Sequence, residues 1–283
     1  MRTKHLGVIL AALVLLTAAC SSDSDSEDAG STTTTAASDQ STSSTTAAPE
    51  ETEKLTVLVT NDDGVSAEGI DALTQVLSGR DDVELVVVAP AENQSGSGGK
   101  TTAGPLSATE TTTASGLEAT AVAGFPADSV IWALDEGGIT PGLVISGVND
   151  GQNIGALVPL SGTVGAARQA AQMGVPAIAV SQGLGDPPDF DVAVAAAMEW
   201  LDQNIEALLA GEVGTDSISN INAPTCPTGE VQGEVEVPVA VDSTIDVTKV
   251  DCAGTADPVD DVVAFTNGWI ALSVLAPTGS ITE

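Results

Sequence analysis

Histidine and tyrosine are nearly missing from this chain. Its 283 residues include one histidine, His5, and no tyrosine. His5 falls in a segment that reads as a removable leader, so the mature chain has no Ser-His-Asp triad, Cys-His pair or histidine-bound zinc. Aromatic residues make up 2% of the chain, which leaves little for stacking platforms. Basic residues are scarce as well, with seven Lys and Arg against 40 Asp and Glu, a net charge of −33. That balance excludes duplex nucleic-acid binding through a basic patch and attraction to an anionic membrane surface. Only three cysteines occur, Cys20, Cys226 and Cys252. With Cys20 assigned to lipid attachment, Cys226 and Cys252 remain as an even pair, predicted to form a disulfide in an oxidising compartment. Chemistry is left to carboxylates, hydroxyls, amides, a few Lys and Arg, and a bound metal that offsets repulsion of an anionic substrate.

The first 19 residues read as a signal peptide. Arg2, Lys4 and His5 precede an apolar run from Leu6 to Leu16, and small residues lead up to Cys20. The run is too short to stay in a bilayer as a spanning helix. The setting of Cys20 resembles a bacterial lipobox, which implies export, cleavage before Cys20 and lipidation there. Residues 20–53 carry that cysteine and a Ser/Thr/Ala/Asp/Glu-rich stretch with no Lys or Arg before Glu53. Such a composition buries too little apolar surface to offset chain entropy, so it reads as a disordered stalk. The folded domain is expected over residues 54–283, held at the cell surface by its lipid anchor.

Leu55-Thr-Val-Leu-Val-Thr60 is a β-branched run that ends in Asn61-Asp-Asp-Gly64. In open α/β sheets, ligands bind beyond the carboxyl ends of the strands. Asp62 and Asp63 would stand at such a mouth as two hard oxygen ligands, with Gly64 allowing the sharp turn. An ordinary Asx turn would leave the same residues.

Downstream, strand-like and helix-like runs alternate, which predicts a doubly wound, mostly parallel α/β sheet. Strands are predicted at Leu55–Thr60, Leu85–Ala89, Glu118–Ala123, Gly142–Ser146, Pro176–Ser181 and Ile218–Asn222. Helices are predicted at Glu68–Leu77, Pro126–Leu134, Gly162–Met173 and Asp191–Leu209. From Val231 the pattern turns to β alternation over Val231–Val241, Ile245–Val250 and Trp269–Leu275. A β-rich C-terminal appendage is therefore expected.

Several loops after strands are rich in oxygen donors: Asn61 to Asp63, Asn93 with Ser95 and Ser97, Asn149 with Asp150 and Asn153, and Ser161-Gly-Thr163, which opens a helix and suits phosphate. Thr60-Asn-Asp-Asp-Gly-Val65, Asn93-Gln-Ser-Gly96, Ser146-Gly-Val-Asn149, Ser161-Gly-Thr-Val-Gly-Ala-Ala167, Gly174 to Ser181 and Asn220-Ile-Asn-Ala-Pro224 occur in that order. In this combination the chain resembles the SurE family of metal-dependent 5′/3′-nucleotidases, over roughly Leu55 to Leu275.

The resemblance implies a Rossmann-like fold and a metal held by Asp62, Asp63, Ser95 and Asn149. The ion would be magnesium or manganese, with calcium as a third fit to an oxygen set. It implies phosphate contacts from Asn61, Asn153, Ser161, Gly162 and Thr163, and Asp62 and Asp63 as the catalytic residues, with Asp62 as base or nucleophile. The implied reaction is hydrolysis of nucleoside 5′/3′-monophosphates, in a homodimer joined through C-terminal arms. Leu160, Phe125 and Asp150 depart from the family's usual residues. Two other readings remain, an aspartyl-phosphate-type phosphatase and a non-catalytic lipoprotein that binds nucleotide or metal. Arg168, on the helix after Thr163, reads as a structural ion-pair partner, and Lys100 as a solvated loop residue.

Overall fold

The computed structural model describes residues 53–279. The leader, Cys20 and most of the Ser/Thr-rich stalk lie outside the described residues. Among the described residues no helix is long and apolar enough to cross a membrane.

A nine-stranded sheet organises the chain, in the order β3-β4-β2-β1-β5-β6-β7-β9-β8. β1 (Leu55–Thr60) lies between β2 (Val83–Pro90) and β5 (Leu143–Asp150), parallel to both. β4 (Glu118–Val122) extends the sheet beyond β2, and β6 (Ala177–Gln182) and β7 (Ile218–Ala223) extend it beyond β5, all parallel. Strand order therefore reverses at β1. The crevice between the carboxyl ends of β1 and β5 is the switch point where ligands enter such sheets.

Period-two alternation explains how both faces of the sheet are covered. Leu55, Val57 and Val59 face one layer, where Ile70, Leu73 and Leu77 of α1 (Glu68–Ser78) meet Ala193, Ala197 and Leu201 of α4 (Asp191–Leu209). Leu58, Val88 and Val144 face the other layer, against Val130 of α2 (Pro126–Ile131) and Ala166, Ala167 and Ala170 of α3 (Gly162–Gln172). The alanine row lets α3 sit close to the sheet. Phe190 is buried in the first layer, and Trp200 packs partly buried against it.

The C-terminal segment corrects the expectation of a β-rich appendage. β9 (Ile270–Leu275) pairs antiparallel with β7, and three-residue β8 (Glu234–Glu236) pairs with β9, so both belong to the main sheet. The Ile245–Val250 run forms no strand and folds as turns. Beyond β7 the next positions in the sheet are taken by β9 and then β8, and the run joins neither. A short helix α5 (Asp261–Thr266) buries Phe265 with Ile154, Val237, Ala240 and Ala271 in a small core of its own. Cys226 and Cys252 form a disulfide across this segment, with Cα atoms 5.7 Å apart.

Two further elements had no sequence reading: β3 (Ala108–Thr112), a polar edge strand antiparallel to β4, and a 3-10 turn at Gly155–Leu160. Among the described residues Arg168 has no ion pair and its Nε has no partner, while its pKa is lowered by burial. The ion pairs among the described residues use Arg80 and Lys249 instead.

Asp261 joins the C-terminal segment to the sheet. Its fully buried carboxylate accepts from the Gly155 amide at 2.9 Å and the Ala240 amide at 2.8 Å. Removing it strands two buried donors, so Asp261→Ala is expected to lower stability by about 2–4 kcal/mol in urea unfolding. Burial raises the Asp261 pKa. A raised folded-state value means that stability is complete below the ordinary carboxylate range and declines as pH rises through the raised value. Relative to Asp261→Asn, the native chain should lose stability as pH climbs above about 4. A constant difference between the two would contradict this. The disulfide closes a loop of 26 residues. Replacing both cysteines by serine should cost about 3 kcal/mol in the same assay.

Candidate active site

Side chains on a strand point to alternate faces, so adjacent residues converge on one ligand only where the strand has ended. β1 stops at Thr60, and the next residues turn. Asn61 closes that turn on itself: its Nδ2 donates to the Gly64 carbonyl at 2.9 Å, and its Oδ1 accepts from the Gly64 amide at 3.2 Å. Gly64 holds φ at +103°, a conformation open to glycine at little cost. With both polar ends engaged and no exposed surface, Asn61 clasps the turn and does not line a phosphate pocket. That corrects its expected role.

The two carboxylates take different partners. Asp62 is 3% exposed, and its Oδ1 accepts from Thr163 Oγ1 at 2.7 Å, at the start of α3. Burial pushes its pKa up to about 6, opposed by the Thr163 hydroxyl and reinforced by the charge of Asp63. Asp63, half-buried, faces the loops after β2 and β5. Its Oδ1 accepts from Asn93 Nδ2 at 3.0 Å and Ser95 Oγ at 3.4 Å, and its Oδ2 accepts from the Asp150 amide at 3.0 Å. Asn149 is the next-to-last residue of β5 and follows a register shift between Ser146 and Asn149, the kind of bulge that re-aims side chains beside a site. Its Nδ2 donates to the Gly151 carbonyl, which leaves Oδ1 as a free oxygen donor.

Thr163 is held in turn. Asn153 Nδ2 donates to Ser181 Oγ at 2.9 Å and to Thr163 Oγ1 at 3.4 Å. The Asn153 amide donates to Asn222 Oδ1 at 2.7 Å, and its carbonyl accepts from Asn220 Nδ2 at 2.9 Å. A buried chain of amides and hydroxyls thus runs from β7 through Asn153 and Thr163 to Asp62. Asn153 lines the cavity, but its donors point inward, so it acts through Thr163. Ser181, Asn220 and Asn222 had no assigned role from sequence. Their signal was polar residues in otherwise apolar strands, at alternate positions in the case of the two asparagines.

Ser161 caps α3 by accepting from the Val164 amide at 3.1 Å. Gly162 is there for close approach: a Cβ on it would lie 2.7 Å from Asp62 Cβ and 2.8 Å from Ser97 Oγ. Asp62, Ser95, Asn149, Asn153 and Ser161 line one open cavity of about 490 Å³, with Asp150 at its wall. Asp150 has its pKa raised, first by burial and then by the charges of Asp63 and Glu68. No lysine or arginine lines the cavity.

The residues present fit a divalent metal. A carboxyl buried until its pKa rises to about 6, beside a second carboxylate and with no cationic side chain among the described residues bonded to either, is an arrangement a cation relieves. Among the described residues no cluster of three or more His, Cys, Asp or Glu could hold a metal. The fit here rests on two carboxylates supplemented by the Ser95 hydroxyl and the Asn149 carbonyl oxygen, an all-oxygen set suited to hard ions.

Comparison with known proteins adds an independent line. Residues 57–243 match the family model of survival protein SurE. A putative 5′-nucleotidase of Nostoc sp. PCC 7120 is 35% identical over 64% of this chain and 76% of its own length. A 5′-nucleotidase SurE of Carboxydothermus hydrogenoformans is 41% identical over 63% of this chain and 68% of its own. The crystal structure of the SurE protein from Aquifex aeolicus superposes with a TM-score of 0.64 at 27% identity, covering 80% of this chain and 94% of that one. The chain belongs to the SurE family.

Proposed function

We propose that this protein is a divalent-metal-dependent phosphomonoesterase that hydrolyses nucleoside 5′- and 3′-monophosphates to nucleoside and phosphate. We further propose that it works at the cell surface, anchored through lipid on Cys20. The observation that carries the catalytic reading is the Asp62–Asp63 pair at the switch point, with Asp62 lining a cavity that has oxygen donors and, among the described residues, no basic side chain. The relatives named 5′-nucleotidase support the substrate class.

Asp62, Asp63, Ser95 and Asn149 would hold magnesium or manganese. Such an ion polarises a phosphoryl oxygen and eases deprotonation of water. The chain's own residues supply the rest. Asp62 Oδ1 is fixed by Thr163, which supports the reading that Oδ2 takes a proton from the attacking water, with Asp62 as general base. Asp63 keeps its orientation through Asn93, Ser95 and the Asp150 amide, which locks the loops after β2 and β5 around the reacting centre. The first turn of α3, capped by Ser161, turns its N–H groups and positive dipole end toward the phosphate. Asn153 keeps Thr163 and that turn in register with Asp62. Most of the acceleration would come from positioning and charge stabilisation.

The purified protein should release phosphate from nucleoside monophosphates with magnesium or manganese and lose this with EDTA. Asp62→Asn and Asp63→Asn should each reduce kcat by about 100-fold or more while the unfolding midpoint is retained. Activity within a few-fold of the native chain in both variants would remove the site assignment. Gly162→Ala should lower kcat strongly, since its methyl group would displace Asp62.

A further inference from the structure

Arg168 is a cation that this acidic chain leaves unmatched. The sequence holds 40 Asp and Glu, and an arginine withdrawn from solvent ordinarily takes a carboxylate partner. Among the described residues none pairs with Arg168. Its Nε is buried without a hydrogen-bond partner, and burial lowers its pKa. A guanidinium does not escape such a position by losing its proton, as a lysine can, so the charge stays. A charge taken out of water without a partner is costly, and a counterion relieves it.

The space beside Arg168 is formed and small. Arg168, Gln169 and Gln172 of α3 line a cavity of about 280 Å³ together with Gly99, Pro159 and Thr278. Among the described residues no Asp or Glu lines it. Its walls are tied to one another. Gln172 Nε2 donates to the Pro277 carbonyl at 2.8 Å, which fastens the C-terminal wall to α3. The Gly98 amide donates to the Leu160 carbonyl at 2.9 Å, and a Cβ on Gly165 would collide with the Gly98 carbonyl. The glycine-rich loop is thus pressed onto α3, and Lys100, exposed, directly follows Gly99 at the rim.

This cavity is separate from the one at Asp62. The two share a single lining residue, Ser161, whose hydroxyl is engaged as the cap of α3. Its volume falls below the roughly 300–1,000 Å³ that drug-sized ligands occupy, which favours a small ion over a nucleotide. A planar fork of N–H donors with carboxamides beside it is the chemistry that holds an oxyanion. The net charge of −33 repels anions in general, so one is retained only where a cation is desolvated and walled off from the acidic surface.

We propose that the Arg168 cavity is an oxyanion-binding site for a phosphate- or sulfate-type ion, held by the guanidinium with Gln169 and Gln172 beside it. The site lies apart from the metal centre and does not depend on the phosphomonoesterase reading.

Calorimetric titration of the full chain with sodium sulfate tests it, in EDTA and at an ionic strength fixed with sodium chloride. Sulfate should bind at one site per chain, and inorganic phosphate should compete for it. Asp62→Asn should leave the affinity within about twofold, which separates this site from the metal centre. Arg168→Met should weaken it about tenfold or more, with Arg168→Lys between, since a point charge then replaces a fork. Gln169→Glu sets a carboxylate beside the arginine; it should abolish sulfate binding and raise the unfolding midpoint, a readout that stands even if Arg168→Met fails to fold. No binding above the chloride background, or binding unchanged in both the Arg168→Met and Gln169→Glu variants, would overturn the site. So would binding that appears only in Glu283→Gln, since the chain's own carboxylate would then be the occupant.

Discussion

Two neighbouring carboxylates that share no cation set the conditions for the rest of this molecule. Asp62 and Asp63 stand just past β1, after Asn61, and among the described residues their side chains accept only from neutral donors brought in from other elements. Asp62 draws on α3 and, through Asn153, on β6 and β7. Asp63 draws on the loops after β2 and β5. The pair therefore acts as a clamp across the switch point, so that loops far apart in sequence converge on one spot. Neutral hydrogen bonds orient such a pair but do not cancel its charge. Burial pushes the Asp62 pKa up to about 6, and the charge of Asp63 adds to that rise.

The packing serves that clamp. Alternating residues of the central strands bury against α1 and α4 on one face and α2 and α3 on the other, which fixes the strand ends to one edge. Small residues then allow the close approaches. The alanine row sets α3 against the sheet, and Gly162 lets its first turn press on Asp62. The C-terminal segment contributes differently. Through Asp261 and Gln152 it is tied to the loops that carry Leu157, Leu160 and Val247 beside the polar floor of the cavity.

The central elements were legible in the sequence for clear physical reasons. β1 and α4 fall on their predicted spans, Leu55–Thr60 and Asp191–Leu209, because both carry a periodic apolar pattern with sharp ends. The edges were harder to read. β3 is a polar strand whose side chains are mostly exposed, so no alternation marks it. The Ile245–Val250 alternation marks no strand, since a strand needs a partner brought alongside by the tertiary fold, which a local pattern cannot report. At the site, Asp62, Asp63, Ser95, Asn149 and Ser161 do converge, as their place after successive strands suggested. Asn61 was misjudged because Asn-Asp-Asp-Gly gives no sign of which oxygen donor the turn itself will consume. The chain through Asn153, Ser181, Asn220 and Asn222 exists only in three dimensions, since its members lie up to 69 residues apart.

The central claim is that a hard divalent cation completes the Asp62–Asp63 clamp. Diffraction from crystals grown with manganese, measured across the manganese absorption edge, tests it most directly. The expected result is one strong anomalous peak bounded by Asp62, Asp63, Ser95 and Asn149. No peak there, with manganese bound only at surface carboxylates, would contradict the claim.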